Sequence, residues 1–261
     1  MRKLIFLFAV VFSAFSFAFA DDWNKQYTIT GKPELHVDAK DGNIYVSTWD
    51  KNQIDIHVTT IGYKIGADGV RITDSQSANR VTLDLKLPHT WCVGFCHREI
   101  KVEIKVPRQS DLDLKTGDGN MEGGDVQGNL EFNTGDGNVT FHDLQGSLRA
   151  HTGDGNIRVG GRFENFSLRT GDGNVAADID SGSKPAAGWS VYTGDGNVQL
   201  SVPQDLSADL DVRTGDGRIT FDLPVTVSGS VGRSELRGKL NAGGPVIQIR
   251  TGDGNVHLEK R

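Results

Sequence analysis

Apolar and polar positions alternate along nearly all of the chain beyond residue 20. Leu130 and Phe132, Leu148 and Ala150, Phe166 and Leu168, and Trp189 and Val191 each stand two residues apart. A few residues later Val139 and Phe141, Ile157 and Val159, Val175 and Ala177, and Val198 and Leu200 repeat the pattern. A period of two sends one set of side chains inward and the other into water, which predicts half-buried strands rather than helices. Between the two strands of each set stands the string Thr-Gly-Asp-Gly-Asn. It begins at Thr116, Thr134, Thr152, Thr170, Thr193 and Thr251. A further copy at Thr214 ends in Arg218, and Lys40-Asp41-Gly42-Asn43 is a degenerate early form. The first four copies are 18 residues apart, and the later gaps are 23, 21 and 37. Eighteen residues hold two strands of about six residues and two corners. The longest gap predicts a coil without the signature, or a longer hairpin.

Two arrangements fit this pattern. A meander of hairpins would use Asp-Gly as a tight turn and pair Phe132 with Phe141. A solenoid would make each repeat one coil and stack equivalent positions at strand spacing. A hairpin needs only the Asp-Gly pair, whereas the Thr, the first Gly and the Asn recur too. Stacking selects identical residues at identical positions. The expected fold is therefore all-β, a single-domain β-solenoid (β-helix-like) of 18-residue coils with Thr-Gly-Asp-Gly-Asn corners. Residues 21–110 predict less regular strands at 27–30, 35–39, 43–48, 54–60, 80–87 and 99–106. No linker separates them from the repeats of 111–261, so 21–261 reads as one domain. Gly137 and Gly155 follow Asp, where a tight turn most often takes positive φ. Gly254 is expected in the last coil, with a neighbouring corner on one side only.

The first twenty residues have a different pattern. A basic Arg2-Lys3 precedes an apolar run over 4–17, and Ala18-Phe19-Ala20 sets small residues at the −3 and −1 positions before Asp21. This predicts a Sec signal peptide over 1–20 and an exported protein, periplasmic or on the cell surface. No later apolar stretch approaches membrane-spanning length. Cleavage removes Arg2 and Lys3 and moves the formal net charge from −6 to −8. That balance argues against nucleic acid or anionic lipid as partner, since both need a basic footprint.

Several stretches resemble a known family. Gly42-Asn43-Ile44-Tyr45-Val46-Ser47-Thr48-Trp49-Asp50, then Ile104-Lys105-Val106-Pro107 followed by Leu112-Asp113-Leu114-Lys115-Thr116, lead into the repeated corners. Gly243-Gly244-Pro245 then leads to Ile249-Arg250-Thr251-Gly252. With these features the chain resembles the adhesin-type β-solenoid domains of the DUF4097 family, relatives of the bacterial head-GIN domains, over about residues 27–258. The resemblance implies a fold and an envelope setting. It implies no catalytic residues, because the family has no agreed set.

Candidate chemistry is sparse. Stacked corners would bring Asp118, Asp136, Asp154 and Asp172 into a column about 4.8 Å apart. Either each carboxylate points to water and caps its own turn, or calcium bridges neighbouring coils. The second reading lacks the paired half-sites of secreted glycine- and aspartate-rich repeats. The Asn column reads as a side-chain amide ladder, and the Thr column as its hydroxyl counterpart. Cys92 and Cys96 predict a disulfide closing a short loop in an oxidising compartment. Zinc, copper, haem or redox use would need other spacings. Trp91 and Phe95 on that loop are a possible contact surface. No Gly-x-Ser-x-Gly, His-Glu-x-x-His or phosphate-binding loop is present, so neither an enzyme nor a cofactor is expected. The function expected is a structural or binding protein contacting an envelope protein or glycan. An accessory module of envelope-stress sensing and a glycan-acting β-helix enzyme are the alternatives.

Overall fold

A computed structural model describes residues 20–88, 98–223 and 225–261. The expected signal peptide, the expected Cys92–Cys96 disulfide and the expected contact residues Trp91 and Phe95 therefore lie outside the described residues, save for Ala20. The described residues form strands and no helix. The first seven strands are β1 (Ala20–Thr28), β2 (Glu34–Asp38), β3 (Asn43–Trp49), β4 (Gln53–Ile61), β5 (Arg71–Ser77), β6 (Arg80–Lys86) and β7 (Glu99–Pro107). The repeats supply β8 (Asp111–Lys115), β9 (Met121–Gly124), β10 (Gln127–Asn133), β11 (Val139–His151), β12 (Ile157–Arg169) and β13 (Val175–Ile179). They continue with β14 (Trp189–Tyr192), β15 (Val198–Val202), β16 (Ala208–Thr214) and β17 (Ile219–Asp222). Last come β18 (Val225–Val231), β19 (Glu235–Leu240), β20 (Val246–Thr251) and β21 (Val256–Lys260).

The strands before and after a corner do not pair with each other. Each pairs in parallel with its equivalent in the next repeat: Leu130 lies opposite Leu148 and Phe132 opposite Ala150, while Val139 lies opposite Ile157. Two ladders result. One runs β6, β2, β8, β10, the second half of β11, the second half of β12, β14, β20, β16. The other runs β7, β3, β9, the first half of β11, the first half of β12, β13, β15, β21, β17. The alternating apolar side chains of both ladders meet between them. The Phe132 and Phe141 rings stack there with centroids 4.1 Å apart, and Leu114, Met121, Val159 and Leu200 are all buried. Antiparallel strands flank this stack. β1 and β4 extend the second ladder, β5 lies on β6, and the hairpin β18–β19 lies on β16. That hairpin fills part of the 37-residue gap.

The order of coils in space departs from their order in the chain at both ends. β2 and β3 sit between β6–β7 on one side and β8–β9 on the other. Likewise β20 and β21 are inserted between β14–β15 and β16–β17. The expectation for Gly254 is thereby corrected: its corner has Gly196 on one side and Gly217 on the other. The β18–β19 hairpin turns the chain back along β16, so the last residues return to a place one coil earlier.

The expected reason for the corner glycines is corrected too. Gly137 and Gly155 are not among the glycines with positive φ. They are glycine because a Cβ at Gly155 would overlap the carbonyl oxygen of Gly137, and one at Gly137 that of Gly119. Gly173, Gly196, Gly254 and Gly217 stand in the same relation to the corner beneath them, whereas the nearest atoms to a Cβ on Gly42 are Ile100 Cγ2 at 3.0 Å and the Ala39 carbonyl at 3.1 Å. Gly155→Ala and Gly254→Ala should each destabilise by more than about 1 kcal/mol, because backbone cannot move aside as a side chain can. Gly42→Ala should cost less than half as much. Denaturant midpoints of the three variants check this, and a mild Gly254→Ala would contradict the inserted position of the last coil.

Candidate functional site

Each Thr-Gly-Asp-Gly-Asn corner is built from three ladders that all run one way. The buried Thr hydroxyls donate to the second-glycine carbonyl of the preceding coil at 2.7–2.9 Å, from Thr116 to Gly42, Thr134 to Gly119, Thr152 to Gly137 and onward to Thr214 and Gly254. The same hydroxyl accepts the N–H of its own second glycine, as from Gly155 to Thr152 at 3.2 Å. Thr, not Asp, therefore caps the turn, and the Thr hydroxyls bond to backbone rather than to one another. First-glycine N–H groups form the second ladder, Gly153 donating to the Gly135 carbonyl and Gly215 to that of Gly252. The Asn side chains form the third. Asn156 donates to Asn138 Oδ1 from its backbone N–H at 2.9 Å and from Nδ2 at 3.0 Å, and Asn138, Asn174, Asn197 and Asn255 do likewise.

The one-way sense accounts for the departures from the signature. At the corner between β2 and β3, whose donors would point away from all the other signature corners, the Thr position is Ala39 and the first-glycine position is Lys40, with φ of 54°. Asn43 is kept there because its Oδ1 accepts the Asn120 N–H at 2.9 Å. At the other end of these corners Arg218 replaces Asn. Its N–H donates to Asn255 Oδ1 at 3.0 Å, and among the described residues no further Thr-Gly-Asp-Gly-Asn corner stands beyond it to use an Asn oxygen.

The corner aspartates Asp118, Asp136, Asp154 and Asp172 are all exposed, one per coil. Among the described residues no three His, Cys, Asp or Glu side chains come together as a metal site would require. Instead, the register opens two grooves along the stack, which the sequence analysis missed because they depend on which coils are neighbours. The groove on the first ladder encloses about 810 Å³ and is lined by Asp111, Glu131, Ser147, Arg149 and Ser167 among others. Beside it Arg169 lies over the exposed Tyr192 ring, 4.8 Å from its centroid. The groove on the second ladder encloses about 790 Å³, with the Asn column along one side and Thr140, Arg158, Gln199 and His257 beside it.

One end of the second groove is fixed by a polar network. Gln199 Nε2 and Ser201 Oγ each donate to Glu259 Oε1 at 2.8 Å. His257 Nε2 lies 3.3 Å from Glu259 Oε2, and its Nδ1 is 2.9 Å from Thr220 Oγ1. The Gln199 and Ser201 donors hold the Glu259 carboxyl below the usual glutamate range, with His257 adding to the effect. The network joins three neighbouring strands and orients His257 at the groove.

The arrangement defines a class of parallel-stacked, all-β repeat protein with polar grooves and a buried apolar seam. The chain belongs to the Toastrack DUF4097 family, whose model matches residues 32–186. Among solved structures, a "putative adhesin" from Bacteroides fragilis NCTC 9343 is similar at 16% identity and TM-score 0.51, over 92% of this chain and 97% of that one. A "putative adhesin" from Parabacteroides merdae ATCC 43184 matches at 13% identity and TM-score 0.44, covering 91% and 96%. A "putative lipid binding protein" from Parabacteroides distasonis ATCC 8503 matches at 13% and 0.40, again covering 91% and 96%. No curated protein matches the chain.

Because Glu259 titrates low in the folded chain, its network contributes stability that is present above the unfolded carboxyl's pKa. That contribution is lost as pH falls through the folded value. A carboxyl titration followed by NMR should place Glu259 below the usual glutamate range. Ser201→Ala with Gln199→Ala should return it to the ordinary range; an unchanged midpoint would show that the two donors do not set it.

Proposed function

We propose that this chain is an exported, non-enzymatic structural or binding protein of the bacterial envelope, a β-solenoid whose stacked faces hold an envelope protein or glycan. The observation that carries the reading is the repetition of one side chain, asparagine, at one position per coil along the second groove of about 790 Å³. Such a surface suits a long or repeating partner better than a compact substrate. Membership of a family with adhesin-named structural relatives is consistent with it, and those names are carried over here as part of the proposal. Residues 1–20 serve as the export signal, and Cys92 and Cys96 pair once the chain reaches an oxidising compartment.

The test of function is co-sedimentation of the mature protein, from Asp21 onward, with isolated bacterial envelopes. Saturable binding is expected, and a protein that stays in the supernatant at every envelope concentration would overturn the reading. Export is checked separately. Material purified without reductant should begin at Asp21 and leave Cys92 and Cys96 inert to a thiol label; labelling of both would remove the disulfide.

A further inference from the structure

The Asn ladder carries an inference about what the second groove takes, resting on the reading of the protein as a binding protein. The bonding of each rung can be counted. Asn138 Oδ1 accepts two N–H groups from Asn156, and Asn156 Oδ1 accepts two from Asn174. Both lone pairs are then used. The backbone donor also settles which side-chain atom is oxygen. Each Nδ2 spends one hydrogen on the rung beneath it and keeps one with no acceptor among the described residues. Asn138, Asn156, Asn174, Asn197 and Asn255 are exposed. They present to the groove a row of neutral donors, one per coil, at about 4.8 Å spacing.

We propose that this groove binds a neutral, equatorially linked glycan chain lying along the stack. Pitch and charge both select it. An extended peptide offers carbonyls along one edge only every second residue, about 6.7 Å apart, and falls out of step within three coils. A pyranose unit in an equatorially linked chain advances it by slightly more than one strand spacing and brings oxygen acceptors to each flank of the chain once per unit. Polyanions are disfavoured by the exposed Asp136, Asp154 and Asp172 on the adjoining corner, two residues from the Asn rungs. The row beside the ladder suits hydroxyl partners. Thr140, Arg158, Ala176, Gln199 and His257 follow one another on paired strands. The His257 ring is held by Thr220 and Glu259.

The test uses the full mature protein and fully N-acetylated, neutral chito-oligosaccharides from two to seven units, followed through the asparagine side-chain N–H signals. The Asn156, Asn174 and Asn197 signals should shift, and affinity should rise with length to about five units, one for each free donor in the row. Ala176→Arg fills the middle of the groove without touching the ladder, and should weaken binding of the longest oligomer at least tenfold with an unchanged melting temperature. Ser167→Arg in the other groove should leave binding unchanged. Shifts confined to the Ser147 and Ser167 face, or indifference to Ala176→Arg, would overturn the groove assignment while leaving a glycan-binding protein. No shift with any oligomer would overturn the glycan proposal. Envelope co-sedimentation, read independently, would then still decide the broader reading.

Discussion

The repeat depends on how closely one corner backbone lies against the next. The carbonyl of Gly137 occupies the volume where a side chain on Gly155 would begin, and the same holds up the column to Gly217. That approach brings the Thr152 hydroxyl within reach of the Gly137 carbonyl and the Asn156 amide within reach of Asn138. Any Cβ at the second glycine would push the coils apart and break all three ladders together. The backbone contact is thus the cause of the signature, and Thr and Asn are the residues that make use of it.

Fixing the corner also fixes everything that leaves it. In a strand a one-residue slip turns every side chain to the opposite face. Corners locked in register therefore keep Leu130, Leu148 and Phe166 in one buried file and Asn129, Ser147 and Asn165 in one exposed or half-buried file. The grooves are a surface record of this constraint. Side chains at matching positions on successive strands line one continuous trough, whereas a stack with loose register would scatter them.

Strands at 35–39, 43–48, 54–60, 80–87 and 99–106 were legible in the sequence to within a residue or two, because their apolar residues alternate over a buried face. β5 was not, since Arg71–Ser77 is an edge strand with exposed or half-buried side chains and little apolar signal. The corner glycines were legible as special, but for another reason: the local pattern suggested a dihedral requirement, whereas the requirement comes from the neighbouring coil. The threonine was read as one rung among equals, since nothing local distinguishes a hydroxyl that bonds its own kind from one that bonds backbone. Coil order was the least legible feature. Every corner from Thr116 to Thr251 carries much the same residues, so any could stack on any other. The substitutions that do mark the ends of the signature corners, Ala39, Lys40 and Arg218, become informative only once the direction of the ladders is known.

The inserted coils bear on how such a chain is made. A polypeptide emerges from its N-terminus, and a stack in which each coil rested on the one before could zip closed as it appeared. Here Val256–Lys260 must enter between β15 and β17 after both have been synthesised. Until then β14 and β16 each hold an unpaired edge of the same pattern, and a truncated product keeps them open. Completion of the stack therefore waits on β20 and β21, the strands that close both open edges at once.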